Sequence, residues 1–152
     1  MPAISTEWRV AGIGHFGTRD DTLLLSNRLT SEERTWTLAG TNIIDAPATS
    51  LLEINAYVAA TADFNHDGHT DAVYRSTNGE EAIILLNGTQ KVSKAVLPSA
   101  GFQRELVGAA DFNNDGFIDL LWYDFETGRL IMWQMDGQLS IRRVRYWPDK
   151  HT

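Results

Sequence analysis

Apolar positions in this chain come in short consecutive runs. Leu23 to Leu25, Val73 to Tyr74, Ile83 to Leu86 and Leu120 to Trp122 each fill adjacent positions. Successive side chains of a strand point to opposite faces, so a run that is apolar at every position predicts a strand covered on both sides. No segment carries the period of a helix of useful length. In the middle of the chain four extended segments are predicted, Tyr57 to Ala62, Asp71 to Arg75, Ala82 to Asn87 and Val92 to Leu97. Asn78-Gly79, and Thr127-Gly128 further on, lie between a second and a third segment, where such pairs supply the positive φ of a hairpin turn.

The pattern repeats. Residues 58–71, VAATADFNHDGHTD, and 106–119, LVGAADFNNDGFID, are displaced by 48 and agree at Ala62, Asp63, Phe64, Asn65, Asp67, Gly68 and Asp71. A further step back reaches VAGIGHF at 10–16, where Val10, Ala11 and Phe16 match the second copy and Gly12 matches Gly108 of the third. Downstream, TWTLAGT, IILLNGT and MWQMDGQ set Gly40, Gly88 and Gly137 at spacings of 48 and 49. Three units of this length, each of four short strands and no helix, describe the blades of a β-propeller. The expected fold is therefore all-β, three four-stranded antiparallel blades at about 7–54, 55–102 and 103–150 within a single domain over 1–152. A β-sandwich is the alternative, and it would show cleaner alternation and no strict period.

Chemistry concentrates in the two well-preserved copies. Asp63 to Asp71 and Asp111 to Asp119 share D-x-N-x-D-G-x-x-D. Oxygen donors on alternate residues suit a hard cation, and the Gly at position 6 permits a sharp turn. One Ca²⁺ is expected on Asp63, Asn65, Asp67, Asp71 and the His69 carbonyl. A second is expected on Asp111, Asn113, Asp115, Asp119 and the Phe117 carbonyl. Magnesium is less suited to so many protein oxygens, and the bland alternative is a pair of Asx-turns at hairpin corners. EF-hands are excluded, because position 12 is Tyr74 in one loop and Trp122 in the other and the flanks read as strands. The first copy, His15 to Asp21, is read as two residues shorter, with His for the first Asp, and is not expected to bind calcium. Arg19 beside Asp20 and Asp21 could stand in for the ion's charge.

Composition narrows the function classes. In 152 residues with 43% hydrophobic positions there is enough apolar material for one core. The formal charge of −7 opposes a nucleic-acid partner held by phosphate neutralisation. That acidity is local, since the two loops hold six Asp and neither Lys nor Arg. No apolar run approaches the roughly 20 residues of a membrane helix, so no membrane insertion is expected. The absence of cysteine excludes disulfides, thiolate metal sites and a Cys nucleophile. MPAISTEWRV lacks the basic start and apolar stretch of a signal peptide. No nucleophile elbow, P-loop, zinc-protease motif or dinucleotide fingerprint is present, and no enzyme is expected.

On these residues the repeat resembles the FG-GAP (VCBS-type) repeat of integrin-like β-propellers. The resemblance spans about residues 7–147 and is most specific in the Asp loops, while Leu130 to Gly137 is similar to the family's "I-W-x-M-x-G" strand. It implies four-stranded blades, calcium on the loop joining the first two strands, and a role in adhesion, protein interaction or sugar binding. The expected function is thus a non-catalytic calcium-binding module for a protein or glycan, with a calcium-dependent lectin or a hydrolase as alternatives. Loops of this kind fill where calcium is abundant, which favours an extracytoplasmic location.

Other residues invite sharper readings. His66 and His69 have a spacing that could suggest zinc, but the sister loop has Asn114 and Phe117 there, as expected if position 7 gives only its carbonyl. Trp36 and Trp133 are expected in inter-blade core, and Trp8 and Trp147, near the chain ends, are read as exposed. Arg142, Arg143, Arg145 and Lys150 fall on or beside the last strand, where charge guards an edge. Three blades leave an apolar face on each outer unit, so two copies are expected to close a six-bladed homodimeric ring. A fragment or open array is the alternative.

Overall fold

The computed structural model describes residues 7–16, 22–27, 29–45, 48–49, 55–137 and 139–147, and every regular element among them is a strand. Blade two is the antiparallel sheet β6 (Ala56–Ala62), β7 (Asp71–Ser76), β8 (Glu81–Asn87) and β9 (Gln90–Leu97), paired in chain order. Blade three repeats it with β10 (Arg104–Ala110), β11 (Asp119–Asp124), β12 (Arg129–Met135) and β13 (Ile141–Trp147). Blade one has β1 (Trp8–Gly14), β2 (Thr22–Asn27) and β3 (Glu33–Ala39), and its outer strand is broken. β4 (Asn42–Asp45) and β5 (Ala48–Thr49) pair with successive parts of β3. No helix among the described residues is long and apolar enough to cross a membrane.

One irregularity confirms that the units are true repeats. The pairing of first and second strands slips between Val10 and Gly12, between Val58 and Ala60, and between Leu106 and Gly108. A bulge at the same point in each blade bends the inner strand in the same sense, which lets β1, β6 and β10 lie side by side.

Consecutive apolar residues serve two cores. Ala72, Tyr74, Ala82, Ile84 and Leu86 of blade two join Phe16 and Leu24 of blade one. Val73, Ile83 and Leu97, on the opposite face of the same sheet, join Leu106, Leu120, Trp122, Ile131 and Trp133 of blade three. Trp122 and Trp133 are the centre of that second core, with ring centroids 4.9 Å apart. A charged clamp crosses the same junction. Buried Arg75 pairs through Nε with Glu81 Oε1 at 3.2 Å, donates to the Gly101 and Arg104 carbonyls, and lies 5.7 Å from the Trp122 ring.

Three expectations change. Gly14 pairs with Thr22 as Ala62 pairs with Asp71, so the first loop is one residue shorter than its sisters, not two. Thr22, not Asp21, holds the place of the last Asp. Trp36 is half-buried and not core, because it stands on the face of blade one turned away from blade two. Trp8 is half-buried beneath Arg34, whose guanidinium sits 4.9 Å over its ring, whereas Trp147 is exposed as expected. Gly137 lies inside the last hairpin turn, which the Leu139 N–H closes on the Asp136 carbonyl at 3.1 Å. Leu139 takes the left-handed φ of 60° there, and a Cβ on Gly137 would stand 2.8 Å from the Phe117 ring, so the glycine admits a close approach. Residues 17–21, with the expected Arg19 pairing, and Lys150 lie outside the described residues.

Candidate functional site

Both Asp loops join the first strand of a blade to its second, β6 to β7 and β10 to β11. Each is a corner in which the backbone must reverse within a few residues, and short polar side chains stabilise it by bonding their own amides. In loop two, Asp63 accepts the N–H of Asp67 through Oδ1 at 3.2 Å and the N–H of Gly68 through Oδ2 at 2.9 Å. Asn65 Oδ1 also accepts from Asp67 N–H, and Asn65 Nδ2 donates to Asp67 Oδ2 at 2.9 Å. Asp67 Oδ1 accepts the N–H of His69 at 2.8 Å. Loop three reproduces every one of these bonds with Asp111, Asn113, Asp115, Gly116 and Phe117. Position 6 needs glycine for its backbone, with φ of 86° at Gly68 and 91° at Gly116.

The last Asp of each loop behaves differently. Asp71 is fully buried, and accepts the N–H of Phe64 on Oδ2 and that of Leu86 on Oδ1, both at 2.9 Å. Asp119 accepts from Phe112 at 3.3 Å and Met135 at 3.0 Å in the same way. Each carboxylate thus ties its loop to the end of the third strand. Burial pushes both carboxyls above their ordinary range, the amides pull them back, and the negative charges of Asp67 and Asp63, or of Asp115 and Asp111, add to the rise. Exposed Asp67 moves the other way, held down by the His69 amide and then by Asn65.

All four acidic or amide side chains proposed from each motif are therefore brought to one corner, with Asn65 and Asp67 (Asn113 and Asp115) exposed on its rim, Asp63 (Asp111) half-buried and Asp71 (Asp119) at its floor. Among the described residues no three His, Cys, Asp or Glu side chains stand grouped as a ready-made metal cage. The corners are held instead by their own amides. The donor set itself is all oxygen, and each carboxylate oxygen that accepts one N–H keeps a second lone pair. His66 stacks on Phe117 of the neighbouring loop, 6.3 Å between centroids, which gives that ring a packing role. His69 takes part through its main chain. Loop two also bonds to blade one, with Thr70 N–H donating to the His15 carbonyl and His15 N–H to Thr70 Oγ1.

The segment that contains both corners decides the family likeness. Residues 63–122 carry an FG-GAP-like repeat. The matched stretch begins at the first Asp of loop two and ends three residues past the last Asp of loop three, so both corners belong to it. An FG-GAP-like repeat points to a β-propeller-type recognition module. No curated protein and no solved structure gave a significant match to the chain.

At the opposite end of β6 lies a cleft of about 520 Å³ between blades two and three. Tyr57, Phe102, Phe125, Arg104 and Glu105 line it, and the two Phe rings are largely exposed. No sequence signal marked it, because its walls come from a strand start, a strand end and a connection that only the blade packing brings together.

Proposed function

We propose that this chain is a calcium-stabilised, non-catalytic recognition module that presents a protein- or glycan-binding surface. The observation that carries the reading is one acidic corner built twice, with the same motif residues, the same hydrogen bonds and a buried Asp beneath a half-buried and an exposed one. Asp63, Asn65, Asp67, Asp71 and the His69 carbonyl would hold one cation, and Asp111, Asn113, Asp115, Asp119 and the Phe117 carbonyl a second. Three carboxylates gathered at one corner repel, and a divalent cation bound among them would turn that repulsion into a tie across the corner. Calcium suits the set better than magnesium because it accepts more oxygen ligands in a less rigid arrangement. The ion's role here is structural: it fixes the join between the first and second strands.

Calorimetric titration of calcium into the metal-free chain should find two sites. The melting temperature should rise with free calcium by mass action, by an amount equivalent to about 2.7 kcal/mol per site at a hundredfold excess over Kd. Asp67→Ala combined with Asp115→Ala should remove both the heat and the shift. Absence of either in the unaltered chain at millimolar calcium would overturn the metal assignment. The cleft with exposed Phe102 and Phe125 supports recognition, since exposed aromatic rings beside charged groups are suited to contact. A glycan array in calcium tests the sugar reading and capture of binding proteins tests the other, while turnover of a hydrolase substrate panel would defeat the non-catalytic reading.

A further inference from the structure

The three blades give an internal control on what a blade face needs. At the position of Phe16, Phe64 and Phe112, the first two rings are 3% exposed and the third is 46% exposed. Phe16 and Phe64 each lie between their own blade and the next, and Phe112 has no next blade among the described residues. The opposite half of the contact shows the mirror pattern. Val58 and Leu106 face the preceding blade and are 1% and 8% exposed, while their counterpart Val10 is 52% exposed.

Strand pairing extends both faces. Leu23 and Trp36, opposite each other on β2 and β3, match Ala72 and Ile84, which blade two packs against blade one. Leu121 and Met132, opposite each other on β11 and β12, match Val73 and Ile83, which blade two packs against blade three. The outer face of blade one is thus the receiving half of an interface the chain forms twice, and the outer face of blade three is the inserting half.

We propose that a second copy of this chain covers both faces, blade three of each protomer packing on blade one of the other. A copy is the occupant that fits because every chain carries both halves of one interface, in the geometry already used at two internal junctions. The contact is head-to-tail, and closing it with two chains gives six blades, inside the usual range of about four to eight, whereas three or nine fall outside. The inference does not rest on calcium, and the positions that test it lie outside the Asp loops.

Light scattering on the purified chain at micromolar concentration should give about 34 kDa, twice the 17.0 kDa of one chain. Val10→Lys on one face and Leu130→Asp on the other alter residues exposed in the single protomer, so each variant should keep its far-ultraviolet dichroism and run near 17.0 kDa. Mixed in equal amounts, the two variants should recover dimer, because such a ring has one junction free of substitutions and one where Lys meets Asp. A symmetric contact through a single face would leave one variant dimeric. A monomer or an assembly of three or more unaltered chains, folded variants that remain dimeric, or variants that stay monomeric on mixing would each overturn the proposal.

Discussion

Asp67 and Asp71 lie in one loop and have opposite surroundings. Asp67 is exposed on the rim, and Asp71 spends both oxygens on the amides of Phe64 and Leu86 inside the protein. Replacing Asp71 by Asn turns one acceptor into a donor facing a buried N–H, and an orphaned buried amide costs about 1–3 kcal/mol. Asp71→Asn should therefore lower the unfolding free energy measured by urea titration in chelator by that order, and Asp67→Ala should change it far less. Equal losses from the two variants would show that the buried Asp is not a structural tie. The oxygen-rich spacing was legible in the sequence, and so was the likeness of the two loops. The inward role of the last Asp was not, because its partner amide lies 15 residues on and only the folded hairpin brings it back.

Among elements, the doubly apolar β7 and β8 were legible because neighbours on both sides ask for apolar side chains at every position. Their charged members were not. Arg75 and Glu81 face each other across the hairpin and are buried together, with the guanidinium reaching the carbonyls of the next blade. Arg75→Met strips Glu81 of its buried ion-pair partner and removes the guanidinium bonds to those carbonyls, and breaking a buried pair in this way costs about 3–5 kcal/mol. A loss under a fifth of that in denaturant unfolding would mean the clamp is incidental.

The same pair sets a pH dependence. Burial raises the Glu81 carboxyl above its ordinary 4.5, against the pull of the Ala100 amide and Arg75. With the folded value above the unfolded one, the folded chain binds more protons between the two, so this group's stability contribution is complete below 4.5 and is lost as pH rises through the folded value. Glu81→Gln should remove that slope, and its stability relative to the unaltered chain should improve as pH rises from 4.5. A difference that runs the other way would show that Arg75, not burial, governs Glu81. At this scale the periodic Gly137 was legible, but the Phe117 ring that leaves no room for a side chain there was not, because it comes from the Asp loop of the same blade.

For the whole molecule, the period of 48 made the blades legible, while the number of blades left each end of the array with a face that the repeat itself does not cover. In a linear array stability is a sum of unit and neighbour terms, so a unit with two neighbours outlasts one with a single neighbour. Blade two has both within its own chain. Its β7 and β8 amides should exchange slowly with solvent, at rates independent of protein concentration. The strands β2–β3 and β11–β12 gain a second neighbour only when two chains meet, so their exchange should slow as concentration rises through the dimer's Kd. Val10→Lys should hold them at the fast, dilute rate. Hydrogen-exchange mass spectrometry on peptides from 22–39, 71–87 and 119–135 separates the cases, and outer blades that exchange alike at every concentration would place the missing neighbour somewhere other than a second copy.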